Sequence, residues 1–340
     1  MSDKFAILVT TINAPTESMR ALAAGSVQHG HSLYAVGDTK SPSTYDLQGC
    51  QFLDVAAQQA SGFELGRKAP TRSYARKAIG YLAAMRDGHQ LIVETDDDNA
   101  PTEDFWLPRS ETIRAPRAEA SEWINVYAWF TDNLIWPRGY PLDRIQAAPP
   151  DFSGLPIAET LAPIQQGLAD GDPDVDAVYR LVLPLPQHFR RDRKVLLGRN
   201  AWCPFNSQNT TWFRRSFPLL YLPFTCTMRM TDIYRGFVAQ RVAWENRWSM
   251  LFHGPSVFQD RNVHDYMQDF RQEIDGYLNY HEVRRALEGT KLKGGESNLP
   301  DDLMTCYETM IALGALKPEE REFLAAWRQD ITTVWAPAAA

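Results

Sequence analysis

The chain has 340 residues, 44% of them hydrophobic, enough for one large domain or two modest ones around a substantial core. A formal charge of -7 argues against nucleic acid or an anionic membrane as the main partner, and four scattered cysteines without a CxxC pair argue against a disulfide framework or zinc site. No stretch reaches the ~20 apolar residues of a membrane span, and no signal peptide is visible, so the expectation is a soluble, cytoplasmic protein.

Phe5-Ala6-Ile7-Leu8-Val9 predicts a buried strand running into polar Thr10-Thr11-Ile12-Asn13. Pro15-Thr16-Glu17-Ser18 then opens a helix that buries Met19, Leu22, Ala23 and Val27 at helical period. Strands follow at 33–36, stopping at Gly37-Asp38, and at 51–55. Residues 74–86 predict a helix ended by Gly88, and Gln90-Leu91-Ile92-Val93 a strand that reaches Asp96-Asp97-Asp98. Strands alternating with helices imply an α/β fold with a mostly parallel central sheet. Ligands of such sheets bind at the carboxyl ends of the strands, where Thr10, Asp38 and Asp96 fall.

Residues 101–200 are rich in proline and loops, with 124–128 as one strand, and read as an acceptor-side insertion. Regular structure returns over 201–264, with a strand at Trp212-Phe213 and a helix from Asp232 to about Trp248. Residues 265–340 read as helical, with helix starts at Pro300-Asp301-Asp302 and Pro318-Glu319-Glu320 and a loop or lid from Gly289 to Ser297.

Three aspartates crowded at the end of a buried strand raise one another's pKa, and a hard divalent ion with oxygen ligands removes that penalty. A solvated acidic turn is the plain alternative. No GxGxxG follows the first strand and no GxxxxGK[ST] is present, which argues against a dinucleotide-binding dehydrogenase or a P-loop enzyme. Arg76-Lys77 either meets a diphosphate or forms a solvated helix face. Asp38 either accepts from a nucleoside or shapes a turn. Asp232 reads as a helix cap unless a ligand faces it; Arg229 and Arg235 nearby would keep it ionised, as a base accepting a hydroxyl proton needs. His264 lies in a polar segment and can complete a metal shell, whereas His253 sits between apolar residues and reads as a core or turn histidine. Arg138 and Asp174 bind an acceptor or hold a loop by pairing, with the structural role favoured.

Several stretches together resemble the STELLO-type glycosyltransferases, known from plant Golgi proteins and microbial relatives. They are Val36-Gly37-Asp38 with Ser41-Pro42, SYARKAIGYL from Ser73, Asp96-Asp97-Asp98, WPRGYPL from Trp136, QQGLADGDPDVDAV from Gln165, WCPFNSQNT from Trp202, and FPLLYLPFTCTMRMTDIYRGFVAQ from Phe217. The chain is more distantly similar to the reversibly glycosylated polypeptides, which act as UDP-arabinopyranose mutases. The resemblance implies a GT-A-type nucleotide-sugar-binding fold over 1–264, divided into a nucleotide-binding half (1–100), the loop-rich insertion (101–200) and a donor-sugar half (201–264), followed by the helical region 265–340. It implies a UDP-sugar donor, a carbohydrate or glycoconjugate acceptor and Mn²⁺ or Mg²⁺ held by Asp96 and Asp98, with His264 as a further ligand. Donor contacts are then expected from Thr10, Thr11, Asn13, Asp38, Arg76, Lys77, Asp97, Asn209 and Arg261, and Asp232 is the expected catalytic carboxylate of an inverting transfer. The plant members' membrane anchor is not visible here, so Golgi location and a cellulose-synthase partner do not carry over. A nucleotide-sugar mutase and a non-catalytic GT-A scaffold are the alternatives.

Overall fold

The computed structural model describes residues 4–120, 122–262 and 265–337. Its strands are β1 (Ala6–Thr10), β2 (Ser32–Val36), β3 (Cys50–Leu53), β4 (Leu91–Thr95), β5 (Asn99–Pro101), β6 (Thr112–Ala118), β7 (Glu122–Trp123), β8 (Ile157–Leu161), β9 (Ile164–Gly171), β10 (Lys194–Leu197), β11 (Ala201–Trp202), β12 (Asn209–Phe213) and β13 (Met250–Gln259). One sheet runs β3-β2-β1-β4-β12-β9-β13-β10-β6-β8, with β5 added beside β13. It is parallel from β3 to β4, and β12 then enters antiparallel to β4. The expected α/β class is the one observed.

The helices are α1 (Glu17–His29), α2 (Val55–Gln59), α3 (Glu64–Lys68), α4 (Lys77–Arg86), α5 (Ala177–Val182), α6 (Thr231–Glu245), α7 (Tyr266–Gly289), α8 (Leu299–Ala312) and α9 (Glu320–Val334). Thr16 caps α1 with its hydroxyl on the Met19 N–H, as the Thr-Glu start of the helix predicts. Met19, Leu22 and Ala23 are buried, but Val27 is exposed and lies over Gly49 rather than in the core. α6 is buried over nearly its whole length, so its single-face pattern in sequence understates its burial. Gly236 lets it approach the chain closely: a Cβ there would lie 2.7 Å from the carbonyl oxygen of Phe205. Among the described residues, no helix is long and apolar enough to cross a membrane.

The segment 101–200 carries more sheet than its proline content suggests. β9 lies in the middle of the sheet, between β12 and β13, and β6, β8 and β10 extend one side. Its polar residues disguise β9: Gln165, Gln166 and Asp170 are buried because they find partners, Gln166 for example accepting from the Asn206 N–H and the Thr210 hydroxyl. The strand expected over 124–128 is a two-residue strand at 122–123 followed by a 3₁₀ turn at Val126–Trp129.

Carboxylates of the last two helices bond backbone far away in sequence. Asp330 accepts from the N–H groups of Glu64 and Leu65, and Glu320 from those of Phe224 and Thr225 and from the hydroxyls of Tyr221 and Thr225. Nearer in sequence, Asp302 accepts from the N–H groups of Lys293 and Gly294, so the run 289–297, expected as a loop or lid, is pinned. It also packs by Glu245, at the far end of α6 from Asp232. At 1.5 Å per residue that is about 20 Å from Asp232.

Beneath the sheet Arg235 and Glu94 form a fully buried bidentate pair, with Nη2–Oε1 2.7 Å and Nη1–Oε2 2.9 Å, and Trp212 donates to the same carboxylate. Removing one partner strands the other charge. Arg235→Met should therefore lose about 3–5 kcal/mol of stability, measured by urea unfolding.

Candidate functional site

Parallel β1, β2 and β4 end on one edge of the sheet, and the residues after each end meet there. They open onto a cleft of about 580 Å³, lined by Thr10, Thr11, Ile12, Asn13, Asp38, Asp96, Asp97 and Asp98 from the first half of the chain. Ser207, Gln208, Met228, Arg229, Asp232, Gln259, Arg261 and Asn262 close it from the second half, with Arg138 and Asp174 between. The antiparallel register of β12 on β4, Asn209 opposite Thr95, carries Ser207 up to Asp96.

The three aspartates have different surroundings. Asp97 accepts from the Thr11 hydroxyl at 2.6 Å and the Asn13 amide at 2.9 Å, so it fastens the loop after β1. Asp98 accepts from Gln259 at 3.0 Å and from the Asn262 backbone at 3.3 Å. The pairing of β5 with β13 brings those partners to it. Asp96 accepts from the Tyr74 hydroxyl at 3.2 Å and lies 3.5 Å from Lys77 Nζ. Burial and the neighbouring Asp98, Asp232 and Asp97 push its carboxyl up to about 7 despite Lys77, and burial likewise raises Asp98.

Asp232 stands in the first turn of α6 and goes the other way. Arg138 forks onto it, Nη1–Oδ1 and Nη2–Oδ2 both 3.0 Å, while the Ser207 N–H and hydroxyl each reach Oδ2 at 3.1 Å. Although burial opposes ionisation, Arg138 holds the carboxyl well below the usual carboxylate range. The same guanidinium binds Asp174 through Nε–Oδ1 at 2.8 Å and Nη2–Oδ2 at 2.7 Å. Arg138 is delivered by a turn in which Tyr140 N–H meets the Pro137 carbonyl and Gly139 takes φ +90°. The cations expected near Asp232 serve other acids: Arg229 pairs with Glu273 and Arg235 with Glu94. A carboxylate with both oxygens engaged this way orients a ligand better than it takes a proton.

The remaining expected residues divide. Thr10, Thr11, Asn13, Asp38, Asp97 and Arg261 line the cleft. Asp38 accepts from the N–H groups of Thr39 and Ser73, and despite the burial that opposes it these bonds and that of Arg72 hold its carboxyl below its ordinary value. Arg76 touches the cleft wall, but its guanidinium serves Gln58 and the carbonyls of Ala69 and Pro70. Lys77 is fully buried and off the cleft, donating to Tyr74 Oη and the carbonyls of Thr95 and Ser207. The Asn209 amide bonds the Leu168 carbonyl and Ser256 away from the cleft. His253 meets the Gly254 carbonyl, and burial lowers it to about 4. His264 lies outside the described residues.

Two curated relatives from Arabidopsis thaliana align over 347 positions. "Probable glycosyltransferase STELLO2" is 27% identical and "Probable glycosyltransferase STELLO1" 26%, each alignment covering 96% of this chain and 44% of the relative. The chain is thus similar to the STELLO proteins over nearly its whole length. It spans less than half the length of the STELLO proteins it matches. No family model matches the chain. A solved structure titled "Crystal Structure of a Mycobacterial Protein" aligns with TM-score 0.39 and 9% identity over 82% of this chain and 74% of its own.

Tyr74, Ser207, Gln259 and Asn262 are cleft residues that reading the sequence alone left without a role. The first two lie inside stretches shared with the STELLO resemblance, so position in a matching segment was the available signal. For a divalent ion, Asp96 and Asp98 supply two carboxylates. Among the described residues no group of three or more His, Cys, Asp or Glu side chains is placed to hold a metal ion by itself. Two carboxylates suit an ion that completes its shell with phosphate oxygens and water.

Raised from 3.8 to about 7, ionised Asp96 costs the metal-free fold stability above pH 7, and that cost fades as pH falls toward 4. Asp96→Asn should therefore raise the metal-free melting temperature by a few degrees at pH 8 and by nothing near pH 4, measured by calorimetry.

Proposed function

We propose that this chain is a nucleotide-sugar-dependent glycosyltransferase, taking a sugar from a UDP-linked donor to an acceptor hydroxyl. The carrying observation is that Asp96, Asp98 and Asp232 share one cleft at the carboxyl edge of the parallel strands. The names of the STELLO proteins, probable glycosyltransferases, and the resemblance of the motifs support the same class.

Asp96 and Asp98 would hold Mn²⁺ or Mg²⁺, with His264 as a further ligand. A bound ion of this kind neutralises charge on a departing diphosphate. Arg261, lining the cleft and tuned down to about 10 by burial and by Arg180 and Arg229, offers a cation to the same anion. Thr10, Thr11, Asn13 and Asp38 take the nucleoside end. Asp232 accepts sugar hydroxyls and fixes the anomeric carbon, and Arg138 keeps it ionised to do so. An inverting course then requires the acceptor's proton to leave by a group other than Asp232. Residues 1–264 form the catalytic unit in this reading, with 265–340 as its helical buttress. Four free thiols are in keeping with work in the cytoplasm.

UDP release from a panel of UDP-sugars, with Mn²⁺ and with excess EDTA, tests the proposal. Turnover should need the metal, and Asp98→Ala should lower it at least about a hundredfold while the protein stays folded. Undiminished turnover in EDTA would refute the metal assignment. A new UDP-sugar isomer formed without acceptor would move the reading to a mutase. Asp232→Asn should cost about a hundredfold in kcat through misplacement of the sugar, with UDP binding kept. Equal kcat would leave Asp232 as a helix cap.

A further inference from the structure

We propose that Tyr74 and Ser207 are positioning residues that fix the spacing between Asp96 and Asp232, and so set the diphosphate and sugar ends of the cleft together. The inference rests on reading this cleft as a metal–nucleotide-sugar site. Tyr74 Oη bonds Asp96 Oδ1 at 3.2 Å and the Ser207 hydroxyl, and Ser207 bonds Asp232 Oδ2 through both its hydroxyl and its backbone N–H. The path continues through Arg138 to Asp174. One connected set of side chains thus joins the end of β4, the start of β12, the start of α6 and the 101–200 segment.

The fully buried Lys77 ammonium anchors it. It donates to Tyr74 Oη at 3.0 Å, to the Thr95 carbonyl at 2.9 Å and to the Ser207 carbonyl at 3.2 Å. The two backbone segments that carry Asp96 and Ser207 are therefore clamped on one cation, and Tyr74 is held by the same atom.

The hydroxyls couple because their protons are too few. Where Asp96 is ionised, as it would be in holding a metal ion, both carboxylates only accept, so the path Asp96–Tyr74–Ser207–Asp232 has three links and two hydroxyl protons. Tyr74 serves Asp96 or Ser207, and Ser207 serves Tyr74 or Asp232. Deleting either hydroxyl changes what the other can do, so the two losses overlap instead of adding.

Calorimetric titration of UDP with and without Mn²⁺ tests this on the parent chain, Tyr74→Phe, Ser207→Ala and the double variant. Each single variant should weaken UDP binding in Mn²⁺ by about three- to tenfold and weaken it less without the metal. The double variant should match the weaker single within about twofold. A merely structural role would lower the melting temperature and weaken binding equally in both buffers. That result, additive losses, or unchanged affinities in both single variants would overturn the inference. Parent affinity that ignores Mn²⁺ is a separate outcome: it removes the metal reading of the cleft, and this inference with it.

Discussion

Two buried carboxylates, Asp174 and Asp232, can share the cleft wall because the guanidinium of Arg138 lies between them. One arginine offers five donors in a plane, so it can fork onto both acids at once and still reach the Arg229 carbonyl. Such a buried charged triad is a poor source of net stability, because each ion has given up water. Its value is geometric. It ties the Pro137–Tyr140 turn, the Asp172–Asp176 segment and the head of α6 into one register, and the rest of the cleft is built against that wall.

The cleft's carboxylates are thereby driven apart in acidity. Burial, together with like charges that only a buried ammonium offsets, pushes Asp96 up to about 7. Asp232, at the other end of the same network, is driven down despite its burial by the guanidinium it shares with Asp174. Separation of this kind marks groups with different tasks. In the function proposed above, the carboxylate that is costly to ionise would take the cation and the one held ionised would take the sugar hydroxyls.

Local periodicity made much of the first half legible. β1, β2, β4 and α1 follow from apolar runs and a Thr cap, and the aspartate triplet from its place after β4. Interactions distant in sequence were not legible. β9 reads as polar in sequence, yet Gln166 is satisfied by Asn206 and Thr210, some forty positions away. Arg229 and Arg235 are near Asp232 in sequence, yet the cation that reaches it is Arg138, 94 positions upstream. Lys77 carried a charge that suggested a ligand, but its helix turns it inward beneath Tyr74. The short polar run from Gly289 looked free because the acid that holds it, Asp302, reads as an ordinary first-turn helix residue.

The acids of α8 and α9 have an architectural consequence. Glu320 grips the chain seven residues before α6 begins, and Asp330 grips the start of α3, whose neighbour α4 carries the lysine beneath the cleft. The tail of the polypeptide is therefore a brace across segments laid down near its beginning and its middle. Cutting it away would not liberate a tidy module; it would leave bare amides and uncovered aromatic rings such as Tyr221. The segments that build the groove's walls therefore lean on two acids, at 320 and 330, that lie well beyond its last lining residue.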